Sequence, residues 1–176
     1  MSRPDDLKTL FDGKHIQLQS RGTWEFAARK KVTGIVGIIA VTNDRKILLV
    51  EQYRPPVDAK VIELPAGLAG DVPGHATEDL AAAAKRELLE ETGYHAEHWQ
   101  MVCDGTTSAG ITNEVITLFL ATGLKKVSDQ HGDVTESIVL HEAPLEGIDG
   151  WLADQRKAGK LIALKVYAGL YFAGMI

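Results

Sequence analysis

Three carboxylates, Glu87, Glu90 and Glu91, crowd one helical turn in a stretch otherwise rich in Ala and Leu. Residues 77–92 are expected to form a helix, because Ala and Leu favour it, Thr77 can cap its start, Glu78 and Asp79 suit the positive end of its dipole, and Gly93 suits its exit. At about 100° per residue, Glu87 and Glu91 point within about 40° of each other, and Glu90 lies roughly 60° further round. Leu80, Ala84 and Leu88, spaced four apart, fall on or beside that same side. The acids therefore border the face that packs inward. Geometry alone leaves two readings, a solvated acidic helix face or a set of carboxylates gathered around a cation. Like charges at this spacing repel, and partial burial raises their pKa values unless something positive neutralises them. Carboxylate oxygens are hard ligands of the kind Mg²⁺ takes, together with waters and substrate phosphates.

Around this helix the pattern is that of an α/β chain. Apolar runs at 34–41 and 46–50 flank Thr42-Asn43-Asp44-Arg45, which reads as two strands and a turn. Further strands are expected at 61–64 and 115–121, with a shorter one at 137–141. Two helices follow, one within 145–158 that ends at Gly159 and one over 161–173. Strands on either side of the acidic helix argue for a mixed sheet between helices. With 176 residues, 45% of them hydrophobic, the chain can bury one good core. A net charge of -5 gives no support for nucleic-acid binding, and Arg29-Lys30-Lys31 and Lys125-Lys126 are too short to form a basic footprint. Cys103, the single cysteine, excludes an internal disulfide and reads as a small buried hydrophobe in a reducing compartment. No segment has the look of a signal peptide or membrane span, so the expected location is the cytoplasm.

The run Arg86-Glu87-Leu88-Leu89-Glu90-Glu91-Thr92-Gly93-Tyr94 resembles the core of the Nudix box, and Glu78 stands eight residues before Arg86, as that box requires. Nine contiguous positions and a spaced Glu make a specific match. Ten residues separate Gly67 from Glu78, so the loop 68–77 carries an insertion of about five, of the kind that surface loops tolerate at low entropic cost. The resemblance implies a Nudix fold with a mixed sheet sandwiched between helices. It also implies an N-terminal antiparallel β-region, residues 1–33, that serves dimerisation and base recognition beside a Nudix domain at 34–176.

One branch of the family is favoured. Glu51-Gln52-Tyr53-Arg54-Pro55-Pro56 and Ile62-Glu63-Leu64-Pro65-Ala66-Gly67 are similar to the segments that precede the box in ADP-ribose pyrophosphatases and related nucleoside diphosphate sugar hydrolases. Trp24-Glu25, with Arg29 four residues on, resembles the base-recognition element that the partner subunit donates in that branch. A Trp face stacks on a purine, Glu25 can accept from a base N–H, and Arg29 can stack or meet phosphate. Thr107 to Glu114 resembles a loop that normally carries Pro, where this chain has Ala109. That departure leaves sugars other than ADP-ribose open. Gly110 of that loop is an expected substrate contact, and Glu114 matches the residue that meets the terminal sugar in relatives.

The resemblance then implies roles. Glu87, Glu90 and Glu91, with the Ala66 carbonyl, are the expected Mg²⁺ ligands, Mn²⁺ being the alternative ion, and Glu87 and Glu91 thereby count as catalytic. Glu78 is expected to pair with Arg86. Arg54 and Glu63 are expected at the substrate, Arg54 on a phosphate. Glu136, on the loop 127–136, is the expected general base, with Asp133 next and His131 third. The implied activity is Mg²⁺-dependent hydrolysis of a nucleoside diphosphate sugar, ADP-ribose first, by a homodimer that engages neither nucleic acid nor membrane. The rivals are a GDP-mannose or UDP-sugar hydrolase and a silent Nudix domain that senses a nucleotide. A calcium-binding acidic protein is set aside, because the alternating Asp/Asn loop is missing.

Overall fold

The computed structural model describes residues 6–71, 77–129 and 137–174. Eleven strands and three α-helices follow in chain order: β1 Leu7–Asp12, β2 Ile16–Arg21, β3 Trp24–Arg29, β4 Gly34–Ala40, β5 Lys46–Arg54, β6 Ala59–Glu63, β7 Ala66–Ala69, α1 Leu80–Thr92, β8 Tyr94–Thr106, β9 Val115–Lys126, β10 Val139–Pro144, α2 Ile148–Lys157, β11 Leu161–Ile162 and α3 Leu164–Ala173. They make three sheets, with orders β1-β2-β3, β10-β5-β6-β11 and β7-β4-β9-β8.

The strand β4 explains the core. It is a continuous apolar run because both of its faces are buried. Val36, Ile38 and Ala40 join one core cluster with Ala83, Ala84 and Leu88 of α1, while Ile39 joins a second cluster with Leu152 of α2 and Val166 of α3. The sheet β7-β4-β9-β8 thus lies between α1 and α3. It is mixed, since β4 runs parallel to β9 and antiparallel to β7. This is the mixed sheet between helices that the sequence leads one to expect. The two strands around the 42–45 turn are present, but they enter different sheets, pack through their side chains and pair as strands only in the isolated bridge between Val41 and Ile47.

Several boundaries differ from expectation. The helix α1 begins at Leu80, because Asp79 and not Thr77 caps it by accepting the Ala82 N–H at 2.9 Å. The expected last helix yields its first residues to β11, whose Leu161 and Ile162 pair in parallel with Val61 and Ile62 of β6. The short strand lies at Val139–Pro144, in register with β5. Among the described residues, no helix is long and apolar enough to cross a membrane.

The sheet β10-β5-β6-β11 carries a buried charge cluster. Glu51 of β5 is 4% exposed and is met by Lys160 at 2.6 Å, Lys60 at 2.9 Å and His141 Nε2 at 2.9 Å. Burial alone would push its pKa up, but Lys160, Lys60 and His141 outweigh burial and hold it at about 2. The folded value lies below the ordinary carboxylate value, so this stabilisation is complete above pH 4.5 and is lost as pH falls towards 2. At 1.36 kcal/mol per unit it amounts to about 3 kcal/mol. Urea unfolding of the wild type at pH 7 and pH 3 should show about 2 kcal/mol of that loss, since pH 3 lies between the unfolded and folded pKa values, and Glu51→Gln should flatten it. An equal acid sensitivity in the variant would assign the loss to other groups.

Candidate active site

A cavity of about 670 Å³ opens where β5, β6, β7 and α1 come together. Small-molecule sites commonly span about 300–1,000 Å³, so it can hold a nucleotide. One wall is acidic. Glu87 and Glu91, one turn apart on the inward face of α1, are buried, while Glu90 is half-exposed at the rim. That is the arrangement helical spacing predicts. Glu91 Oε2 accepts the Ala66 N–H at 2.9 Å, which ties α1 to β7. Glu87 comes so near the chain at Gly67 that a Cβ there would overlap its carboxyl group.

Arg86 organises this wall. Its Nε and one terminal nitrogen each donate to Glu78, both at 3.1 Å, and the second of these also donates to the Leu68 carbonyl at 2.9 Å. The other terminal nitrogen reaches Glu87 at 2.7 Å and Glu90 at 3.0 Å. The rigid fork of a guanidinium suits such multiple contacts. It meets four acidic side chains, Asp71, Glu78, Glu87 and Glu90, and Glu91 adds a fifth carboxylate to the cavity, so the wall remains short of positive charge. Burial pushes the Glu87 carboxyl above its ordinary value, Glu90 and Asp71 add to the rise, and Arg86 only partly opposes it. Hard oxygen donors in excess of cations are what a divalent ion needs. Among the described residues, however, no three acidic, His or Cys side chains converge as a ready-made cation site. Glu91 is turned to the Ala66 N–H, and Glu87 and Glu90 share Arg86.

A second wall is made of ion pairs between distant segments. Arg54 at the end of β5 donates through Nε to Glu63 Oε2 at 2.6 Å, and Lys165 of α3 meets Glu63 Oε1 at 3.0 Å. Burial raises the Glu63 pKa, but Lys165 and Arg54 more than offset it and hold the carboxyl below its ordinary value. Arg29, at the end of β3, pairs with Glu114 at 2.6 Å, just before β9. The Ala27 N–H donates to the Ile111 carbonyl at 2.8 Å, so the 107–112 loop is docked on β3 of its own chain.

Of the residues singled out in the sequence, Arg29, Arg54, Glu63, Ala66, Glu87, Glu90, Glu91 and Glu114 line this cavity. Trp24 and Glu25 are exposed and do not, and Gly110 sits in open space on the docked loop. Glu136, Asp133 and His131 lie outside the described residues. The 68–77 insertion is described only at its ends, where Ala66–Ala69 forms β7. Lys165, Gln52, Asp71 and Thr107 line the cavity without having been singled out. For Lys165 a signal existed, since it is the one charged residue in the helix LKVYAGLYFA.

The family model described as NUDIX domain matches residues 32–153. The chain is 38% identical over 124 residues to a methanol dehydrogenase activator of Bacillus methanolicus, covering 70% of this chain and 64% of the relative. It is 34% identical over 119 residues to an ADP-ribose pyrophosphatase of Bacillus subtilis, covering 66% and 60%. The chain thus spans less than two thirds of the length of these relatives. Among solved structures it is similar to one described as an ADP compounds hydrolase, with TM-score 0.65 and 19% identity over 84% of this chain and 80% of that one. At that identity the likeness concerns the fold.

Proposed function

The chain belongs to the Nudix family, and from that premise we propose that it hydrolyses the pyrophosphate bridge of a nucleoside diphosphate sugar, with ADP-ribose as the first substrate. The observation that carries this reading is the cavity itself, where the box carboxylates and the Arg54–Glu63 pair border one volume of about 670 Å³. Water adds to one phosphorus, the bridging P–O bond breaks, and nucleoside monophosphate and sugar phosphate leave. The relative named an ADP-ribose pyrophosphatase supports the substrate class.

Glu87, Glu90, Glu91 and the Ala66 carbonyl would hold Mg²⁺, which when bound would neutralise phosphate charge and make a water more acidic. The surplus of carboxylates over cations on that wall is the support for this set, and Mn²⁺ fits the same donors. The protein's own part begins with Arg86, which fixes the acidic turn by bonding Glu78, Glu87 and Glu90. Arg54 presents its guanidinium to a substrate phosphate while Glu63 orients it. Glu114, held by Arg29, faces the terminal sugar beside the Gly110 loop. Glu136 takes the proton of the attacking water.

We further propose a homodimer built on residues 1–33. Leu7, Leu10, Phe11, Ile16, Leu18 and Trp24 leave apolar surface exposed on the β1-β2-β3 sheet, of the kind that marks a protein–protein contact when it is contiguous. Trp24 and Glu25 then serve the base in the other copy's cavity. Trp24→Ala should raise KM for the best substrate more than it lowers kcat, as loss of uniform binding does. An unchanged KM would remove Trp24 from the site.

The deciding experiment is chromatography of products from ADP-ribose, GDP-mannose, UDP-glucose, diadenosine polyphosphate and dGTP, each with Mg²⁺ and with EDTA. Release of nucleoside monophosphate and sugar phosphate from a sugar nucleotide, only with metal, is expected. Nucleotide binding without turnover of any of them would favour a sensor instead.

A further inference from the structure

We propose that Lys165 is a phosphate-binding residue of this cavity, an inference that rests on the pyrophosphatase reading above and extends it to a third cation. Lys165 stands in the first turn of α3, the positive end of the helix dipole, where a cation is disfavoured and where the helix itself contributes no acidic residue. Helix stability therefore does not account for the charge. The placement is firm nonetheless. Val166 and Ala173 are fully buried, and Gly169 packs so near β6 that a Cβ would sit 2.9 Å from Leu64 Cδ2. The backbone of α3 is thus pressed against the strand that ends in Glu63, and the lysine reaches the cavity wall.

Charge balance points the same way. Arg54 and Lys165 share the single carboxylate of Glu63, at 2.6 Å and 3.0 Å, which leaves one positive charge in excess on that wall. One cation would have satisfied Glu63. Arg29 adds nothing to the excess, being paired with Glu114. An ammonium has three donors and only one is needed for Glu63, so it can hold the carboxylate and an anionic oxygen at once. Glu63 is then a positioning residue that aims two cations at the phosphates of a nucleoside diphosphate. The excess charge is the part of the wall that an anionic substrate completes.

The test uses the purified full chain and three variants, Lys165→Gln, Lys165→Met and Lys165→Arg. Calorimetric titration with ADP in EDTA reads binding without turnover, and adenosine competition reads the base and ribose alone. Loss of a charge-assisted hydrogen bond should weaken ADP about ten-fold in Lys165→Gln and Lys165→Met, with adenosine unchanged. With Mg²⁺, KM for the sugar nucleotide should rise by a similar factor while kcat changes far less, and Lys165→Arg should recover most of both. ADP affinity within two-fold of wild type in the neutral variants, at wild-type melting temperature, overturns the proposal. A wild type that binds ADP but hydrolyses no sugar nucleotide refutes the pyrophosphatase reading alone, and the ADP titrations still decide the role of Lys165.

Discussion

Glu91→Gln should leave a folded protein whose turnover falls by about a thousand-fold, the rate equivalent of about 4 kcal/mol of transition-state stabilisation. The fold should survive because the bond from the Ala66 N–H to Glu91 needs only an oxygen. Its Oε2 accepts the Ala66 N–H at 2.9 Å, and the amide oxygen of Gln can accept the same N–H. Gln and Glu also have similar helix propensity. What disappears is a buried negative charge on a wall already rich in carboxylates. Because the Ala66 bond is kept, the melting temperature should stay close to that of the wild type. The two measurements are steady-state rate with saturating Mg²⁺ and thermal unfolding, made on the same preparation. A near-normal rate would take Glu91 out of the metal set. A large drop in melting temperature would instead make it chiefly an anchor for β7.

The second large effect is expected at a residue with no functional group. Gly67→Ala should lower kcat/KM by about a hundred-fold, the usual consequence of moving a catalytic group by about 1 Å. A Cβ at this position would overlap the Glu87 carboxyl group, well inside the 3.0 Å that real Cβ contacts keep. Something has to move, and the far end of a glutamate side chain moves more readily than the paired backbone of β7 and β4. Stability should therefore change by no more than about 1 kcal/mol, a common value for a point substitution. A Gly67→Ala enzyme within three-fold of wild type would show that the position of Glu87 does not matter to the chemistry.

These two positions show why part of the site was legible beforehand. Glu87, Glu90, Glu91, Arg86 and Glu78 lie within one helix and its approach, so a period of 3.6 residues converts their spacing directly into directions. The Glu78–Arg86 contact that the family resemblance implied is also present, although Asp79 displaced Thr77 as the cap. Other elements resisted. The strand β8 runs for 13 residues with polar side chains scattered through it, and its exposure does not alternate cleanly. A register shift between Met101 and Cys103 interrupts its pairing with β9, so no period of two marks it in the sequence. Leu161 and Ile162 read as helix because their strand state comes from β6, a partner far away in the chain.

The ion pairs of the cavity belong to the same class. Arg29 meets Glu114 across 85 residues, and Glu63 draws in both Arg54 from the adjoining strand and Lys165 from the last helix. Nothing local to any of these residues names its partner. The sequence alone determined the acidic turn and the resemblance to the family, because one depends on helix geometry that holds in any context and the other on a motif of residues close together in the chain. Only the tertiary structure decided which distant cations face that turn, that Gly67 must lack a side chain, and that Lys165 belongs to the cavity. Those facts arise from packing between segments whose separation along the chain carries no information about their distance in space.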